Sequence, residues 1–380
     1  SPGYHGAAMD GFAVRAAATY GASEERPLTL KVGQAAHPVN TGKPLPAGTD
    51  AVIMIEQVHQ PDDQTAEIRA AAFPWQHVRR VGEYIVAREL ILTRHHRMGA
   101  ADVAALLTAG VFELEALARP RVAIIPTGSE LVDWRDAAEA PPPPGAIIES
   151  NSVFLAGLVR EAGGEPEVLP RRPDDFEAIC AAVEQALASE AQMVVVNAGA
   201  SAGSEDYASH VVQKLGRVLV HGVTMMPGKP TLLGEARGKP VVGSPGYPVS
   251  AWVCFDQLLR PALAAMQGQP APVRACVEVT PARRMPSKLG QEEFVRVHLG
   301  RVGDQVVAAP LKRGAGAITS LTRADGILRI PADSEGLDEG ERAQAELLRG
   351  DAAAAEHTLV IVGSHDVTLD LLADRMREAV

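Results

Sequence analysis

The periodicity of hydrophobic and polar residues changes along this chain, and each pattern predicts a type of secondary structure. Residues 27–70 contain the short runs LTLKVG, AVIMIEQV and AEIRA around the bent polar loop NTGKPLP, a pattern typical of a small β-rich domain. The run RRVGEYIVARELIL and the helical pattern ADVAALLTAGV follow within residues 79–118. This second segment predicts a connecting arm that contains a helix.

Between residues 120 and 266, short apolar runs alternate with amphipathic runs. The runs RVAIIP, EPEVLP and MVVV predict buried strands, and DDFEAICAAVEQAL predicts a helix. Another helix is expected to start at Ser150 or Asn151 as its N-cap and to stop after Ala162, at two glycines. The Ala/Glu/Asp-rich stretch around the proline run 141–144 predicts a loop. Such alternation of strands and helices indicates a parallel sheet.

The hydrophobic pattern changes twice after residue 270. Residues 270–348 return to short runs, ACVEVT, EFVRVHL, QVVAAPL and ADGILRIP, which predict a small all-β domain. The linker DAAAA then leads to EHTLVIVGSHD and VTLDLLADRMREAV, a predicted strand and helix. One strand and one helix cannot bury their own apolar faces, so the rest of this unit is missing or supplied elsewhere. Because the chain starts without Met and stops inside a helical pattern, we expect a piece of a longer protein.

Composition narrows the classes of function. The chain has 380 residues, of which 46% are hydrophobic but only 4% aromatic, so we expect two to four domains with cores of Ala, Val and Leu. A net charge of −11 argues against nucleic acid as the main partner. The cysteines are far apart and form no CxxC, which indicates neither disulfides nor zinc. Without a signal peptide or an apolar run of ~20 residues, we expect a cytoplasmic protein with no membrane partner.

The segment 194–251 holds three turns rich in glycine and proline, each next to a predicted strand. They are NAGASAGSEDY, the Pro-Gly-Lys-Pro turn around Lys229, and Gly-Ser-Pro-Gly before a helix. Bare backbone after a buried strand presents N–H groups to anions, Lys229 adds a positive charge, and Asp206 offers a metal or proton partner. Because a doubly wound sheet gathers its strand ends at one edge, the turns predict a site for a phosphorylated ligand. For any single turn, an ordinary tight turn explains the same residues.

Seven motifs in order identify a family resemblance over about residues 4–348. AAMDGFAV resembles SAMDGYAV, NTGKPLPAGTDAVIMIEQV resembles TGAPLP…ADAVVMVEQ, IPTGSEL resembles STGDEL, and GAIIESNS resembles GQIYDSNS. NAGASAGSEDY, MMPGKP and GSPGYPVSA stand where SGGVSVGDxDY, MKPGKP and GLPGNPVSA are expected. The second member of each pair belongs to the molybdopterin molybdenumtransferases, the molybdenum insertases of the MoeA and gephyrin E-domain type.

The resemblance implies an α/β plus β fold in an elongated, multidomain subunit of a homodimer. Residues 1–85 would form the β-rich domain, 86–118 the arm, 119–267 the molybdopterin-binding α/β domain with its parallel sheet, and 268–350 a C-terminal β-barrel-like domain. Residues 351–380 would form the linker and the first strand and helix of a truncated domain, whose sequence TLVIVGSHDVTLDLLADRM resembles a substrate-binding domain of the periplasmic-binding-protein type.

The resemblance also implies a reaction. The family takes adenylylated molybdopterin from an upstream molybdopterin adenylyltransferase, inserts molybdenum from molybdate at the dithiolene, and releases AMP with the help of Mg²⁺. The site would lie in a cleft between the α/β domain of one subunit and the β-rich domain of the other.

Individual roles follow from the matched motifs. Glu130 and Asp206 would hold Mg²⁺ or handle protons, and Lys229 would neutralise phosphate charge as the anhydride breaks. Asp10 would act from the β-rich domain. The resemblance assigns ligand binding to Thr41, Thr127, Gly128, Asn151, Gly199, Ser201, Gly203, Pro227, Gly228, Ser244, Gly246 and Ser320. The structural alternatives are a helix-capping Glu130, a surface carboxylate at Asp206 and a solvated Lys229.

Several residues depart from the family pattern. Met226 stands where the family has a lysine, Tyr84 replaces an acidic residue and Tyr247 replaces an asparagine. Ala198 and Ser204 replace a glycine and an acidic residue. Each lost charge-assisted contact could cost ~1.5–3 kcal/mol.

Two interpretations of these departures compete. Either the site is retuned, with Lys43, Arg79 or Arg80 supplying the missing charge, or the fold keeps ligand binding and has become a cofactor-binding or oxyanion-sensing protein. We expect an insertase. A pure scaffold is disfavoured because Glu130, Asp206 and Lys229 have no structural need to occur together.

Overall fold

A computed structural model of the chain describes residues 1–197, 207–348 and 366–378. The chain forms two compact units, Ser1–Ala116 and Leu117–Val380.

The first unit is built from short antiparallel strands, as its alternating runs predict. Two three-stranded sheets have the orders β4-β2-β5 and β3-β7-β6, and β1 pairs with β8. A cluster that includes Phe12, Leu30, Ile53 and Ile68 forms its main core. The strands are β1 Gly6–Ala7, β2 Gly11–Val14, β3 Leu28–Lys31, β4 Ala36–Val39, β5 Ala51–Met54, β6 Val58–Asp62, β7 Thr65–Ile68 and β8 Val78–Arg79.

Gly11, which follows Asp10 in the first family motif, is required by the approach of two strands. Its φ is +155°, and a Cβ at this position would lie 2.0 Å from the Ile53 carbonyl oxygen in β5. Only glycine fits this backbone without displacing the neighbouring strand. The motif therefore fixes the backbone beside Asp10.

The arm of the first unit contains one helix, α1 Ala100–Thr108, which confirms the helix predicted in ADVAALLTAGV. The N–H of Gly99 donates to Asp102 Oδ2 at 2.7 Å and closes the first turn. No residue of α1 is buried.

The α/β part of the second unit contains a six-stranded sheet in the order β12-β9-β13-β17-β16-β14. The first four strands are parallel, as predicted, while β16 and β14 add an antiparallel edge that the sequence analysis did not foresee. The short strands β10 and β11 pair with each other in parallel. The strands are β9 Arg121–Pro126, β10 Leu131–Asp133, β11 Ile147–Glu149, β12 Glu165–Val168, β13 Met193–Asn197, β14 Arg217–His221, β15 Met225–Met226, β16 Leu232–Ala236 and β17 Lys239–Ser244.

Helices cover both faces of this sheet because successive strand residues point to opposite sides. Ala123 and Ile125 pack with α4 and α5, defined as Phe176–Ala188 and Tyr207–Leu215. Val122 and Ile124 pack with the other layer. That layer consists of α3 Asn151–Glu161, α6 Pro248–Cys254, a π-helical turn Phe255–Leu259 and α7 Arg260–Met266.

One local prediction in this part was wrong, and a second was confirmed in its position but not in the side chain that caps the helix. Residues expected in a loop before the proline run form α2, Trp134–Glu139, because Asp133 Oδ1 accepts from Arg135 N at 2.8 Å and caps the helix. Ser150 occupies the N-cap position of α3, but neither it nor Asn151 caps the helix through its side chain. Glu149 does so instead, with its Oε1 accepting from Ser152 N at 2.8 Å.

The C-terminal part confirms the predicted all-β domain and closes into a barrel. Five strands follow the circuit β20-β21-β18-β24-β22 and return to β20. Val295, Val297, Leu299 and Leu328 lie in its core. The elements are β18 Cys276–Pro281, β19 Met285–Pro286, β20 Glu292–Val302, β21 Gln305–Pro310, α8 Thr319–Arg323, β22 Gly326–Ile330, β23 Gly336–Leu337 and β24 Ala343–Leu347.

The final described element, α9 Val367–Glu378, confirms the helix predicted at the end of the chain. The predicted linker at residues 351–355 lies outside the described residues, as does nearly all of the strand before α9. Within the described parts of the chain, no helix is long and apolar enough to cross a membrane.

Candidate functional site

Strand register brings the motif-bearing turns to one edge of the six-stranded sheet. Pro126 at the end of β9 pairs with Asn197 at the end of β13, which pairs with Ser244 at the end of β17. Leu232, where β16 begins, pairs with Gly243. The turns that follow β9, β13 and β17 therefore start side by side, and the turn before β16 joins them. This convergence was predicted for the turn around Lys229 and for the turn after β17. The third predicted turn, NAGASAGSEDY, lies almost entirely outside the described residues.

The turn after β9, residues 127–130, is called the TGSE loop. Thr127 Oγ1 donates to the Asn197 carbonyl at 2.9 Å, and Gly128 N donates to the Arg172 carbonyl at 3.1 Å. Ser129 N donates to Asp174 Oδ2 at 2.9 Å. These donors are used inside the protein, so Thr127 and Gly128 shape the loop. The ligand contacts that the resemblance assigns to them stay predictions.

Glu130 ends the TGSE loop with an exposed side chain. It does not cap a helix, since α2 is capped by Asp133, so that structural alternative is wrong. A Cβ on Gly128 would lie 3.0 Å from Glu130 Oε2 and 2.8 Å from Leu131 Cγ. The glycine thus leaves room for the Glu130 side chain to fold across the loop.

The second predicted carboxylate, Asp206, lies outside the described residues, together with Gly199, Ser201 and Gly203 and the departures Ala198 and Ser204. Among the residues that the structure describes, no group of three or more His, Cys, Asp or Glu side chains could hold a metal ion. Glu130 supplies one carboxylate, and Mg²⁺ needs near-octahedral oxygen ligation. The described residues alone do not form the predicted Mg²⁺ site.

The turn at residues 227–230, called the PGKP turn, is held closed by Thr231. Its N and Oγ1 donate to the Gly228 carbonyl at 3.1 and 2.7 Å, and Val223 N donates to the Lys229 carbonyl at 2.9 Å. Pro227 and Gly228 are buried, whereas Lys229 is exposed. Its ammonium group forms no hydrogen bond or ion pair with another described residue. A rigid turn therefore carries an exposed positive charge.

Met226, which precedes the PGKP turn, is part of a strand contact with the barrel. Met225 and Met226 form β15, which pairs in parallel with Glu292 and Glu293 at the start of β20. The departure from lysine therefore lies where the α/β part and the barrel share a sheet.

The turn after β17, residues 244–247, is called the SPGY turn. The Asn151 amide donates to the Gly246 carbonyl, which ties the start of α3 to this turn. Val249 N, in the first turn of α6, donates to the Ala315 carbonyl of the barrel at 3.0 Å. The Tyr247 side chain is 66% exposed, and a Cβ on Gly316 would lie 3.5 Å from its ring. A barrel loop thus covers part of this helix start.

The Ser320 hydroxyl forms hydrogen bonds with other residues of the barrel part. Its hydroxyl donates to the Ala317 carbonyl at 2.6 Å and accepts from Arg296 Nε at 3.2 Å, and only 4% of the residue is exposed. The Arg296 guanidinium also donates to three carbonyls. Burial lowers the pKa of Arg296 below its usual range. Ser320 therefore helps to position Arg296 within the barrel, and its ligand contact stays a prediction.

The structure brings Asp10 and Thr41 together in the first unit. Asp10 Oδ1 accepts from Thr41 N at 2.6 Å and from Thr41 Oγ1 at 2.9 Å. The backbone donor and then the hydroxyl hold the pKa of Asp10 below its usual value. Asp10 is thus kept as an oriented carboxylate.

The candidate compensating cations also lie in the first unit. The Tyr84 hydroxyl accepts from Arg79 Nη1, so the tyrosine offers an acceptor where the family has a carboxylate. The Arg80 guanidinium lies 5.3 Å from the centroid of the Trp75 ring. Lys43 is exposed.

Sequence reasoning missed two residues at the edge of the sheet. Within the described chain, the buried side-chain atoms without a hydrogen-bond partner are Arg172 Nε, Asn197 Oδ1, Ser244 Oγ and Arg260 Nε, of which the last lies in an ion pair 3.0 Å from Asp256 Oδ1. The first three lie along the carboxyl edge of the sheet. Asn197 and Ser244 end the neighbouring strands β13 and β17, and Arg172 bridges to Thr127 just after β9. Ser244 does have a weak neighbour, the Cys254 thiol, whose pKa burial raises to about 11. Polar residues directly after EPEVLP and MVVV were the available signal.

Comparisons with known proteins agree with the motifs. Three family descriptions match in order: "MoeA N-terminal region (domain I and II)" over residues 1–110, "Probable molybdopterin binding domain" over 123–265, and "MoeA C-terminal region (domain IV)" over 278–348.

Curated relatives and solved structures match along most of the chain. Molybdopterin molybdenumtransferase 2 of Mycobacterium tuberculosis is 32% identical over 353 residues, covering 87% of this chain and 85% of that protein. The molybdopterin molybdenumtransferase of Bacillus subtilis is 27% identical, covering 92% and 84%. A crystal structure of a molybdopterin biosynthesis MoeA protein from a Pyrococcus species has a TM-score of 0.76 and 32% identity, covering 92% of this chain and 88% of that one. The chain belongs to the MoeA family.

Proposed function

We propose that this chain is a molybdopterin molybdenumtransferase of molybdenum cofactor biosynthesis. It binds adenylylated molybdopterin and molybdate as substrates, transfers molybdenum to the dithiolene, and releases AMP by hydrolysis of the phosphoanhydride. The observation that carries this proposal is the convergence of the TGSE loop, the PGKP turn and the SPGY turn at one sheet edge in a MoeA-family chain.

Lys229 is the residue that best fits a direct role. Its ammonium group stands on a turn closed by Thr231 and has no ion pair with the described residues. A phosphoanhydride gains negative charge on the leaving phosphate as its P–O bond breaks. A preorganised cation stabilises that charge more than it stabilises the ground state, which accelerates the step.

Glu130 and Asp10 are proposed to bind or handle protons at the ligand. Glu130 projects from the loop that follows β9, and Thr41 holds Asp10 as a carboxylate. Mg²⁺ stays a prediction, and no step is assigned to it. An upstream molybdopterin adenylyltransferase is the proposed donor of the substrate.

A homodimer is proposed because the arm exposes apolar side chains at helical spacing. Val103 and Leu107 lie four residues apart on α1 and are 46% and 54% exposed, and Phe112 beyond the helix is 79% exposed. A helix with no buried residue has little reason to be stable alone in water. A second copy that covers this surface, called the arm surface (Val103, Leu107 and Phe112), supplies the missing contact.

The sensing alternative is not favoured. The family match runs in order through residues 1–348, and the curated relatives of similar length are named as transferases. The contact between Tyr84 and Arg79 shows that a substituted position has kept a polar partner, which fits a retuned enzyme.

The test is AMP release in a single turnover. Purified protein is mixed with adenylylated molybdopterin, Mg²⁺ and molybdate, and AMP and metallated cofactor are measured. We expect Lys229→Gln to slow AMP release by about 10- to 100-fold, which corresponds to the ~1.5–3 kcal/mol of one charge-assisted contact.

Lys288→Gln is the matched control, because Lys288 is an exposed lysine of the barrel part. Its rate should equal that of the unchanged protein. Tight substrate binding with no AMP released would refute the enzyme proposal. Equal rates for both variants would remove Lys229 from the mechanism.

A further inference from the structure

Arg172 is fixed beside the TGSE loop by its backbone. Its N donates to the Pro126 carbonyl at 2.9 Å, and its carbonyl accepts from Gly128 N at 3.1 Å. Thr127 and Arg172 form an isolated parallel bridge that prolongs the contact between β12 and β9. Arg172 therefore lies at the carboxyl edge of the sheet, next to the strand end that carries the first site loop.

Among the described residues, the Arg172 guanidinium has no hydrogen-bond or ion-pair partner, although it is partly buried. Its Nε is inaccessible to solvent and unbonded, and the side chain forms no ion pair with a described residue. The preceding Arg171 differs, because its Nη1 donates to the Gly128 carbonyl at 3.1 Å and braces the loop. Arg274, which is also mostly buried, forms an ion pair with Asp256 at 2.6 Å.

Burying part of a charged group without a partner costs free energy, so such groups are rare in folded proteins. Arg172 is not isolated in this respect. Asn197 Oδ1 is also buried and unbonded, and Ser244 Oγ has only a thiol beside it. Asn197 and Ser244 end the neighbouring strands β13 and β17, and Arg172 bridges to Thr127 just after the adjacent strand β9. Unsatisfied polar atoms along one edge indicate a polar occupant that completes them.

The cations at this edge of the sheet indicate that the occupant is negatively charged. Met226 stands where the family motif has a lysine, which leaves Lys229 as the remaining cation of the PGKP turn. A guanidinium can bind two oxygens of one phosphate through parallel N–H donors, a contact that methionine cannot make. We propose that Arg172 is the second cation of this site and binds the phosphoanhydride phosphates of the ligand. This inference rests on the proposed function for the identity of the ligand, but only on the edge geometry for its charge.

Pyrophosphate is the probe that tests the charge by itself. Its binding to the whole chain is measured by isothermal titration calorimetry at low ionic strength, alongside AMP release from adenylylated molybdopterin. We expect Arg172→Gln to weaken pyrophosphate binding at least about tenfold, as expected for one charge-assisted contact. Arg172→Lys should retain part of the affinity, because it keeps the charge and loses the paired donors.

Arg160→Gln is the matched control. Arg160 is exposed in the last turn of α3, which leads into the start of β12, so it lies toward the opposite, amino-terminal edge of the parallel strands. Pyrophosphate binding should be unchanged in this variant.

Thermal unfolding separates a binding role from a structural one. Because the Arg172 side chain forms no hydrogen bond or ion pair with a described residue, Arg172→Gln should unfold at the same temperature as the unchanged protein, or at a higher one. A lower unfolding temperature in both Arg172 variants would mean that the side chain has a structural partner, and would overturn the inference.

The remaining outcomes distinguish this inference from the proposed function. AMP release with Arg172→Gln binding pyrophosphate normally would overturn the inference and leave the function standing. Absent AMP release with loss of pyrophosphate binding in Arg172→Gln alone would support the anion site and overturn the function. If the unchanged protein neither binds pyrophosphate nor releases AMP, both the inference and the proposed function are overturned.

Discussion

The contact between Thr41 and Asp10 shows how a single residue sets the charge state of a candidate site group. Thr41 contributes both its N–H and its hydroxyl to the same oxygen, Asp10 Oδ1. Hydrogen bonds to a carboxylate favour its charged form, so the pKa of Asp10 is lowered. A lowered pKa in the folded state stabilises the fold at pH values above the usual pKa. That contribution is lost in acid, as the pH falls through the lowered pKa.

We therefore expect Thr41→Val to raise the pKa of Asp10 toward its usual value without reaching it, because the N–H of residue 41 remains. A pH titration of the Asp10 carboxyl carbon by NMR measures this shift. Asp62 is an internal reference, since the Thr65 hydroxyl and the Gln64 N–H lower its pKa in the same way. An unmoved Asp10 with an unmoved Asp62 would mean that the hydroxyl contributes nothing.

At the scale of elements, α3 is capped by a side chain that lies one residue before its N-cap position. Ser150 and Asn151 are typical capping residues. However, the Asn151 side-chain amide donates a hydrogen bond to the Gly246 carbonyl, while the buried Glu149 accepts one from Ser152 N. The helix start is thereby joined to the SPGY turn, so its position affects the site edge.

We expect Glu149→Ala to lower the free energy of unfolding by about 1–2 kcal/mol, the usual cost of removing a helix cap. Ser150→Ala, which changes the residue at the N-cap position, should have almost no effect, because the Ser150 side chain makes no capping bond. Denaturant unfolding of both variants measures the difference. Equal losses, or a larger loss in Ser150→Ala, would contradict this account of the cap.

At the scale of the whole molecule, the second unit holds the PGKP turn from two sides. β16 follows the turn inside the α/β sheet, while β15 precedes it in a pairing with β20 of the barrel. The barrel also meets the start of α6 through the Ala315 carbonyl. The barrel is therefore part of what positions Lys229.

The arm surface is the proposed contact between the two subunits of the dimer. Leu107→Asp should convert the proposed dimer to monomers, because it places a charge on the arm surface that a second copy would bury. Light scattering coupled to size-exclusion chromatography measures the molar mass. Val273→Asp is the control, since Val273 is 93% exposed in the second unit and should leave the mass unchanged. A dimer that survives Leu107→Asp would show that the arm surface is not the interface.

The sequence by itself determined the strands of the parallel sheet, the arm helix, the all-β C-terminal part and the order of the family motifs. Hydrophobic periodicity and turn residues are local signals, and each of these elements forms from contiguous residues. For the same reason, Lys229 and Glu130 could be named as candidates from their motifs alone.

The tertiary structure decided the rest, because it depends on partners distant along the chain. The antiparallel edge of β16 and β14, the cap from Glu149, and the use of the Thr127 and Ser320 hydroxyls within the protein all follow from such contacts. Arg172 is the clearest case: nothing in its local sequence sets it apart from Arg171. Only the pairing of residue 172 with residue 127 places at the site edge a guanidinium that has no hydrogen-bond or ion-pair partner among the described residues.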